Sequence, residues 1–248
     1  MRHNTDLDGF QEIIGYRYKD VKLLINALTH SSYANEKKTG NFKNNERLEF
    51  LGDAVLEVTS SDYIYRNHSD MDEGQMTRLR ASIVCEPTLA LCAKDIKLSE
   101  YIMLGKGEEQ TGGRKRASII SDAFEALIGS IYLDGGFASA KEFILKFVMT
   151  DLDDKQLFYD SKTILQEVVQ AQGKEVEYEL IAERGPEHDK VFEVKASAPC
   201  MFEVGGKGHT KKAAQQQAAY NALIYLKKNG TDTVSYTHLR AHETRRHL

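Results

Sequence analysis

NERLEFLGDAVLEV, residues 45–58, decides how the first half of this chain is read. At about 100° per residue on a helix, Glu46, Glu49, Asp53 and Glu57 fall within ~80° of one another. Leu48, Leu51, Val55 and Val58 fall on the opposite side. One helix therefore offers an apolar stripe to a core and a strip of acids away from it. The plainer reading is a solvated acidic face. Against it, like charges at i,i+4 cost a helix ~0.2–0.5 kcal/mol per pair, and Lys or Arg would normally intervene. Phe50, Leu51 and Ala54 also crowd the strip, which makes it narrow.

A second segment, SDAFEALIGSIYLDGG (121–136), answers the first. Between Asp122 and Leu133 its only charges are Asp122 and Glu125, at i,i+3 on one face. The rest is apolar or small, so the helix is expected to be buried nearly all round. Buried carboxylates are costly and need a partner, either an Arg in the core or a metal. Gly129, one turn beyond Glu125, could let another helix approach closely. Together the two helices offer four or five carboxylates that could converge. An oxygen-only set without a His or Cys cluster suits Mg²⁺, with Mn²⁺ as a substitute, rather than zinc. Such sites serve phosphoryl chemistry. Glu73, in MDEGQMTRLRA, is a candidate outlying ligand.

The rest of residues 1–150 also reads as helix. DVKLLINALTH (20–30) carries a helical stripe behind an Asp20 cap, and 44–67, 86–95, 116–134 and 137–149 follow the same period. No strand-like alternation precedes residue 174, so this half is expected to be all-α. DLDDKQLFYD (151–160) is acidic with little pattern and reads as a linker. The pattern then changes. SKTILQEVVQAQGK is a helix stopped by Gly173; VEYELIAER, KVFEVKASA and CMFEVGGKG alternate as strands; HTKKAAQQQAAYNALIYLKK is a helix. The order α-β-β-β-α over 161–230 predicts a small α+β domain. The tail, 231–248, fits neither domain. Its His238 and His242 have the i,i+4 spacing of a zinc face, but no third ligand supports one. It is set aside as non-native or disordered sequence.

Composition narrows the function classes. The chain has 248 residues, 41% apolar and 28% charged, as soluble globular proteins do. No apolar run is long enough for a transmembrane helix, and MRHNTDLDGF does not read as a signal peptide. Cys85, Cys92 and Cys200 form no CxxC pair and read as packing residues in a reducing, cytoplasmic protein. The net charge of −4 does not advertise a polyanion binder. Any nucleic-acid site must be local: Lys37 to Arg47, Arg114-Lys115-Arg116, or Lys207 to Lys212. GKGEEQTGGRKR (105–116) lacks the GK[ST] of a P-loop and reads either as a phosphate-meeting loop or as a flexible one. His30, beside Ser31 and Ser32, has no GxSxG around it and reads as structural.

These motifs carry a resemblance. NERLEFLGDAVLE resembles the signature of bacterial ribonuclease III, and the likeness runs through THSSYANE (29–36), DEGQMTRLRA (72–81) and SDAFEALIGSIYLDGG. Residues 161–230 resemble a double-stranded RNA-binding domain. The resemblance implies a Mg²⁺-dependent endonuclease for double-stranded RNA, working as a homodimer. Products would carry 5′-phosphate and 3′-hydroxyl ends, and substrates would be ribosomal RNA precursors and structured messenger RNAs. Glu49, Asp122 and Glu125 would hold the metal, with Asp53 and Glu125 catalytic. Glu46 would bear on substrate selection or cleavage, and Glu73 on a second metal or a water network. Phe50 matches an interface aromatic. Glu57 has no counterpart in the motif. In the second domain Gln166, Glu167 and His188 match positions used at RNA minor grooves. Lys211 and Lys212 sit where a helix N-terminus already favours phosphate. The rivals are a non-catalytic RNA binder on a decayed nuclease, which should have lost acids, and a phosphohydrolase of small nucleotides, which would not need the second domain.

Overall fold

The computed structural model describes residues 6–37, 43–185 and 190–229. The 231–248 tail and His188 lie outside the described residues. Contacts divide the chain into two compact units, with the boundary between Lys155 and Gln156.

The first unit is helical among its described residues: α1 (Leu7–Ile14), α2 (Val21–Ala27), α3 (Ser31–Lys37), α4 (Glu46–Asn67), α5 (Glu73–Val84), α6 (Glu86–Asp95), α7 (Leu98–Tyr101), α8 (Lys106–Gln110) and α9 (Ala117–Phe147). Local chemistry sets several of these ends. Asp6 accepts from Gly9 N at the start of α1, and Gly15, at φ 71°, ends it. Asp20 accepts from Lys22 N and opens α2, as the sequence predicts. Asp134 of α9 accepts from Tyr16 Oη at 2.8 Å, Lys19 N at 2.9 Å and Asp20 N at 2.8 Å, pinning the α1–α2 connection to α9. α9 is broken at Gly136, whose φ of 81° and ψ of 180° suit glycine. The two helical stretches expected at 116–134 and 137–149 are its two arms.

The core of this unit gathers Phe10, Leu24, Leu56, Ile83, Leu89, Phe124, Leu127 and Ile144 around α9. Each such side chain contributes roughly 1.5–3 kcal/mol on burial. One expectation fails here. Val58, placed on the buried stripe of α4, is 53% exposed. The covered side of α4 is instead centred on Leu48, Gly52, Val55, Leu56 and Thr59. Gly52 meets α9 there and Thr59 is buried on the same helix, and an apolar pattern registers neither.

The stretch read as a patternless linker is a helix, α10 (Leu152–Tyr159). Lys155 Nζ donates to the carbonyls of Val148 and Thr150, both at 2.7 Å, while Leu157 is buried in the second unit's core. The second unit continues with α11 (Ser161–Gln170), β1 (Glu177–Arg184), β2 (Val191–Ala198), β3 (Phe202–Gly208) and α12 (Lys211–Lys228). The strands form one antiparallel sheet in the order β1-β2-β3, with a bulge between Leu180 and Ala182. Leu165, Val169, Ala196, Phe202, Ala219 and Leu223 fill the space between sheet and helices. β3 lies against α12 because Gly206 and Gly208 have no side chains; a Cβ on Gly206 would stand 2.2 Å from Ala218 N. The α+β order is the one the sequence predicts. Cys200, expected to pack, is exposed at φ 60° between β2 and β3, a position that leaves it outside the core.

Candidate active site

α4 and α9 cross in close contact because two glycines face each other there. A Cβ on Gly52 would stand 1.8 Å from the Glu125 carbonyl oxygen, and one on Gly129 would stand 2.2 Å from the Leu48 carbonyl oxygen. Gly129 does what its place one turn beyond Glu125 suggests. Its partner Gly52 was not singled out by sequence, although it lies inside the acid motif.

This crossing gathers acids from both helices. Burial is the first reason that the Glu125 carboxyl is pushed up to about 8; the charges of Asp53, Asp122, Glu49 and Glu57 add to it in that order. Glu49 is raised by burial, then by Asp122, Glu46 and Asp53. Asp122 is raised by burial, while a hydrogen bond from Ser121 and the charge of His30 pull it back. Glu46, Glu49, Asp53, Asp122 and Glu125 thus share one electrostatic neighbourhood. Among the described residues no Arg pairs with Glu125, so the core ion pair considered for this helix is not found there. Among the described residues, no three His, Cys, Asp or Glu side chains form a group that could hold a metal ion as arranged. The carboxylates converge without closing on one point, as mutual repulsion requires. Their chemistry fits a hard divalent cation: oxygen donors only, half-buried, with negative charge crowded enough to raise Glu49 and Glu125.

Glu73 is not among these neighbours. It stands at the first position of α5 and lines a groove with Val58, Asp62, Tyr65 and Arg80. Glu57, which matched no motif, pairs with Arg80: Arg80 Nε to Glu57 Oε2 is 3.0 Å, and Arg80 Nη1 donates to Ser61 Oγ at 2.9 Å. His30 is held in place, with Nδ1 2.8 Å from Ser32 Oγ and its backbone N donating to the Met103 carbonyl. The basic loop at 105–116 folds on itself: Arg114 pairs with Glu109 and Arg116 with Glu108. Phe50 is 80% exposed, on a side of α4 that also exposes Val58 and Tyr65.

In the second unit, Lys211 and Lys212 are the first two residues of α12 and are exposed. Thr210 Oγ1 caps that turn by accepting from Ala213 N at 3.0 Å. The Lys211 ammonium stands 5.9 Å from the Phe192 ring centre. Gln166 and Glu167 are both exposed on α11. α11 is tied to α12 by Ser161 Oγ donating to the Gln216 carbonyl and Lys162 Nζ to Gln215 Oε1.

Comparison with known proteins agrees with both halves. Residues 20–152 match the Ribonuclease-III-like family and residues 161–226 match the double-stranded RNA binding motif. Ribonuclease 3 of Bacillus licheniformis is 45% identical over 223 residues, 89% of this chain and 90% of that protein. Ribonuclease 3 of Pelotomaculum thermopropionicum is 47% identical over 215 residues, 85% of this chain and 89% of that protein. Among solved structures, the nuclease domain of ribonuclease III from Campylobacter jejuni is 40% identical with a TM-score of 0.55, covering 59% of this chain and 98% of that one. A helical nuclease unit with acids at a helix crossing, followed by an RNA-binding motif, defines an endoribonuclease, a hydrolase. The chain belongs to the ribonuclease III family.

Proposed function

We propose that this protein hydrolyses phosphodiester bonds of double-stranded RNA with Mg²⁺, leaving 5′-phosphate and 3′-hydroxyl ends. The observation that carries this reading is the α4–α9 crossing, where Glu125 is pushed up to about 8 by burial and by four negative neighbours. Such a cluster is unfavourable by itself and is relieved by a divalent cation. Glu49, Asp122 and Glu125 would hold that ion. Bound there, Mg²⁺ supplies a water of lowered pKa and charge stabilisation for the leaving oxygen. Asp53, exposed on the α4 strip, orients or deprotonates the attacking water. Glu46, at the start of α4, faces outward and meets the substrate; Glu73 takes a water or second-metal role from its separate groove.

Duplex recognition falls to the second unit. Lys211 and Lys212 bring charge to a helix N-terminus, while Gln166, Glu167 and His188 meet the minor groove, a mode that reads A-form shape rather than sequence. We further infer a homodimer, supported by the bare Phe50, Val58 and Tyr65 side of α4. The solved Campylobacter jejuni nuclease domain is described by its region involved in dimer formation. A cytoplasmic role on ribosomal RNA precursors and structured messenger RNA fits the three free cysteines. Among the described residues no helix is long and apolar enough to cross a membrane.

The test is incubation with a long RNA duplex, with Mg²⁺ and with EDTA, followed by end analysis. Short duplex products with 5′-phosphates, formed only with Mg²⁺, are expected. Binding without cleavage would favour the decayed-nuclease reading, and cleavage in EDTA would remove the metal.

A further inference from the structure

We propose that Arg80 is a positioning residue of the nuclease site: by holding Glu57 against α5, it keeps a further carboxylate out of the set that takes the metal. The inference rests on the metal reading above and concerns residues that reading leaves without a role.

Glu57 lies one turn beyond Asp53 on the same strip of α4. Its charge reaches Glu125, where it opposes ionisation. Side chains on a helix lean toward its N-terminus, so an unrestrained Glu57 leans toward Asp53. Arg80 prevents this. Its guanidinium reaches across from α5, with Nε 3.0 Å from the Glu57 carboxylate and Nη1 donating to Ser61 Oγ at 2.9 Å. Residues 57 and 61 are successive turns of α4, so the planar fork grips the helix at two points, which a lysine could not do. α5 itself has little slack. Asp72 and Gln75 close a capping box at its start, and Leu79, Ser82 and Ile83 are buried along it. Both partners of the ion pair are only partly exposed, at 39% and 38%.

The chemical consequence follows from what a hard cation does with carboxylates. Mg²⁺ keeps several waters, and hydrolysis needs at least one of them. A further carboxylate that reaches the ion would bind it more tightly and occupy a place that water needs. Arg80 therefore trades metal affinity for turnover. An ordinary inter-helix ion pair would not link those two quantities in opposite directions.

The test is a double-mutant cycle on the full-length protein. Binding of Mn²⁺ without RNA is followed by the electron paramagnetic resonance signal of the free ion. Steady-state cleavage of a fixed duplex is measured in parallel. Arg80→Gln should bind Mn²⁺ about three- to tenfold more tightly, and its kcat should fall with KM unchanged. Glu57→Gln should stay within about twofold of wild type, because Arg80 already holds that carboxylate away from the ion. The double variant should return to wild-type affinity. If Arg80→Gln does not fold, as circular dichroism would show, Arg80→Lys is read in its place and should tighten binding in the same direction. Affinity that is unchanged or weaker in Arg80→Gln, or a change equally large in the Glu57→Gln background, overturns the proposal. Glu125→Gln separates the two readings. If it binds Mn²⁺ as wild type does, the metal reading fails and this proposal fails with it. If it is impaired while Arg80→Gln is unchanged, only this proposal fails.

Discussion

In the metal reading proposed above Glu125 is a ligand, and its environment makes two predictions. The first separates binding from catalysis. Gln has nearly the same shape as Glu, so Glu125→Gln should keep the packing of α9 while removing one charge and one anionic oxygen. Duplex affinity should stay within a few-fold, since the RNA-binding motif lies in the other unit. Cleavage should fall by orders of magnitude, with partial rescue at high Mg²⁺ or Mn²⁺. A gel shift and a cleavage time course on one duplex measure both; near-normal cleavage would remove Glu125 from the ligand set. The second prediction concerns pH. Burial and negative neighbours raise the folded-state Glu125 carboxyl from 4.5 to about 8. A raised folded value means that its contribution to stability is fully present below about 4.5 and is lost as pH rises toward 8. In EDTA, wild type and Glu125→Gln should therefore have similar melting temperatures at pH 5. By pH 8 wild type should fall below the variant, and Mg²⁺ should close the gap. A difference that stays constant with pH would contradict the assigned environment.

At the scale of elements, the α4–α9 crossing decides whether the acids meet at all. Gly52→Ala places a methyl 1.8 Å from a backbone oxygen, not from a side chain that can swing aside. The helices must part, at a cost on the order of 1–3 kcal/mol or more, and cleavage should fall because Glu49 and Asp53 move from Asp122 and Glu125. Gly107→Ala, where nothing lies within 4 Å, is the control and should leave the melting temperature unchanged. Thermal unfolding of the two variants checks this, and an unaffected Gly52→Ala protein would show that the crossing is looser than described. How much of this was legible follows from what carries each contact. The acid strip and the role of Gly129 could be read because charge and helical period stand in the sequence directly. Gly52 could not, because a close approach is a property of two helices and neither sequence segment states its partner. Val58 was misplaced for the same reason: Gly52, Thr59 and Ser60 cover α4 where an apolar pattern expects Val58. α10 was missed because its acids hide a helix with a single buried residue, Leu157. The Glu57–Arg80 pair spans two helices 23 positions apart and left no local signal. In the second unit, alternation and glycine placement were enough to predict every strand, since each face of that sheet meets a different environment. The phosphate role given to the α12 start is testable at the same scale. Lys211→Ala with Lys212→Ala should weaken binding alike for all duplex sequences and flatten the salt dependence by about two contacts' worth of slope. Filter binding across a salt series decides it, and a sequence-selective loss would contradict it.

For the molecule as a whole, the two units have separate cores, with the boundary inside α10 rather than on either side of it. That detail fixes where the chain can be cut. Ending a fragment at residue 150, where the sequence placed the edge of the first domain, would remove Lys155, which satisfies the carbonyls of Val148 and Thr150 beyond the end of α9. It would also leave Leu152, which packs on the first core, behind. Beginning the second fragment at 161 would delete Leu157 from the second core and the Phe158–Tyr220 ring contact, at 5.3 Å between centres. Unpaired carbonyls and lost apolar contacts each cost on the order of 1–3 kcal/mol, a large share of a small domain's stability. A fragment of residues 1–155 and one of residues 156–229 should therefore each unfold cooperatively, and at higher temperature than fragments cut at 150 and 161. The first should keep the acid crossing and Phe50, hence metal binding and self-association, yet bind duplex RNA far more weakly than the intact chain at physiological salt. The second should bind duplex without cleaving it. Calorimetry on the four fragments, with gel shifts on the two longer ones, measures this. If residues 1–155 cleaved duplex at the affinity of the whole protein, substrate capture would belong to the nuclease unit. Lys211 and Lys212 would then need another purpose.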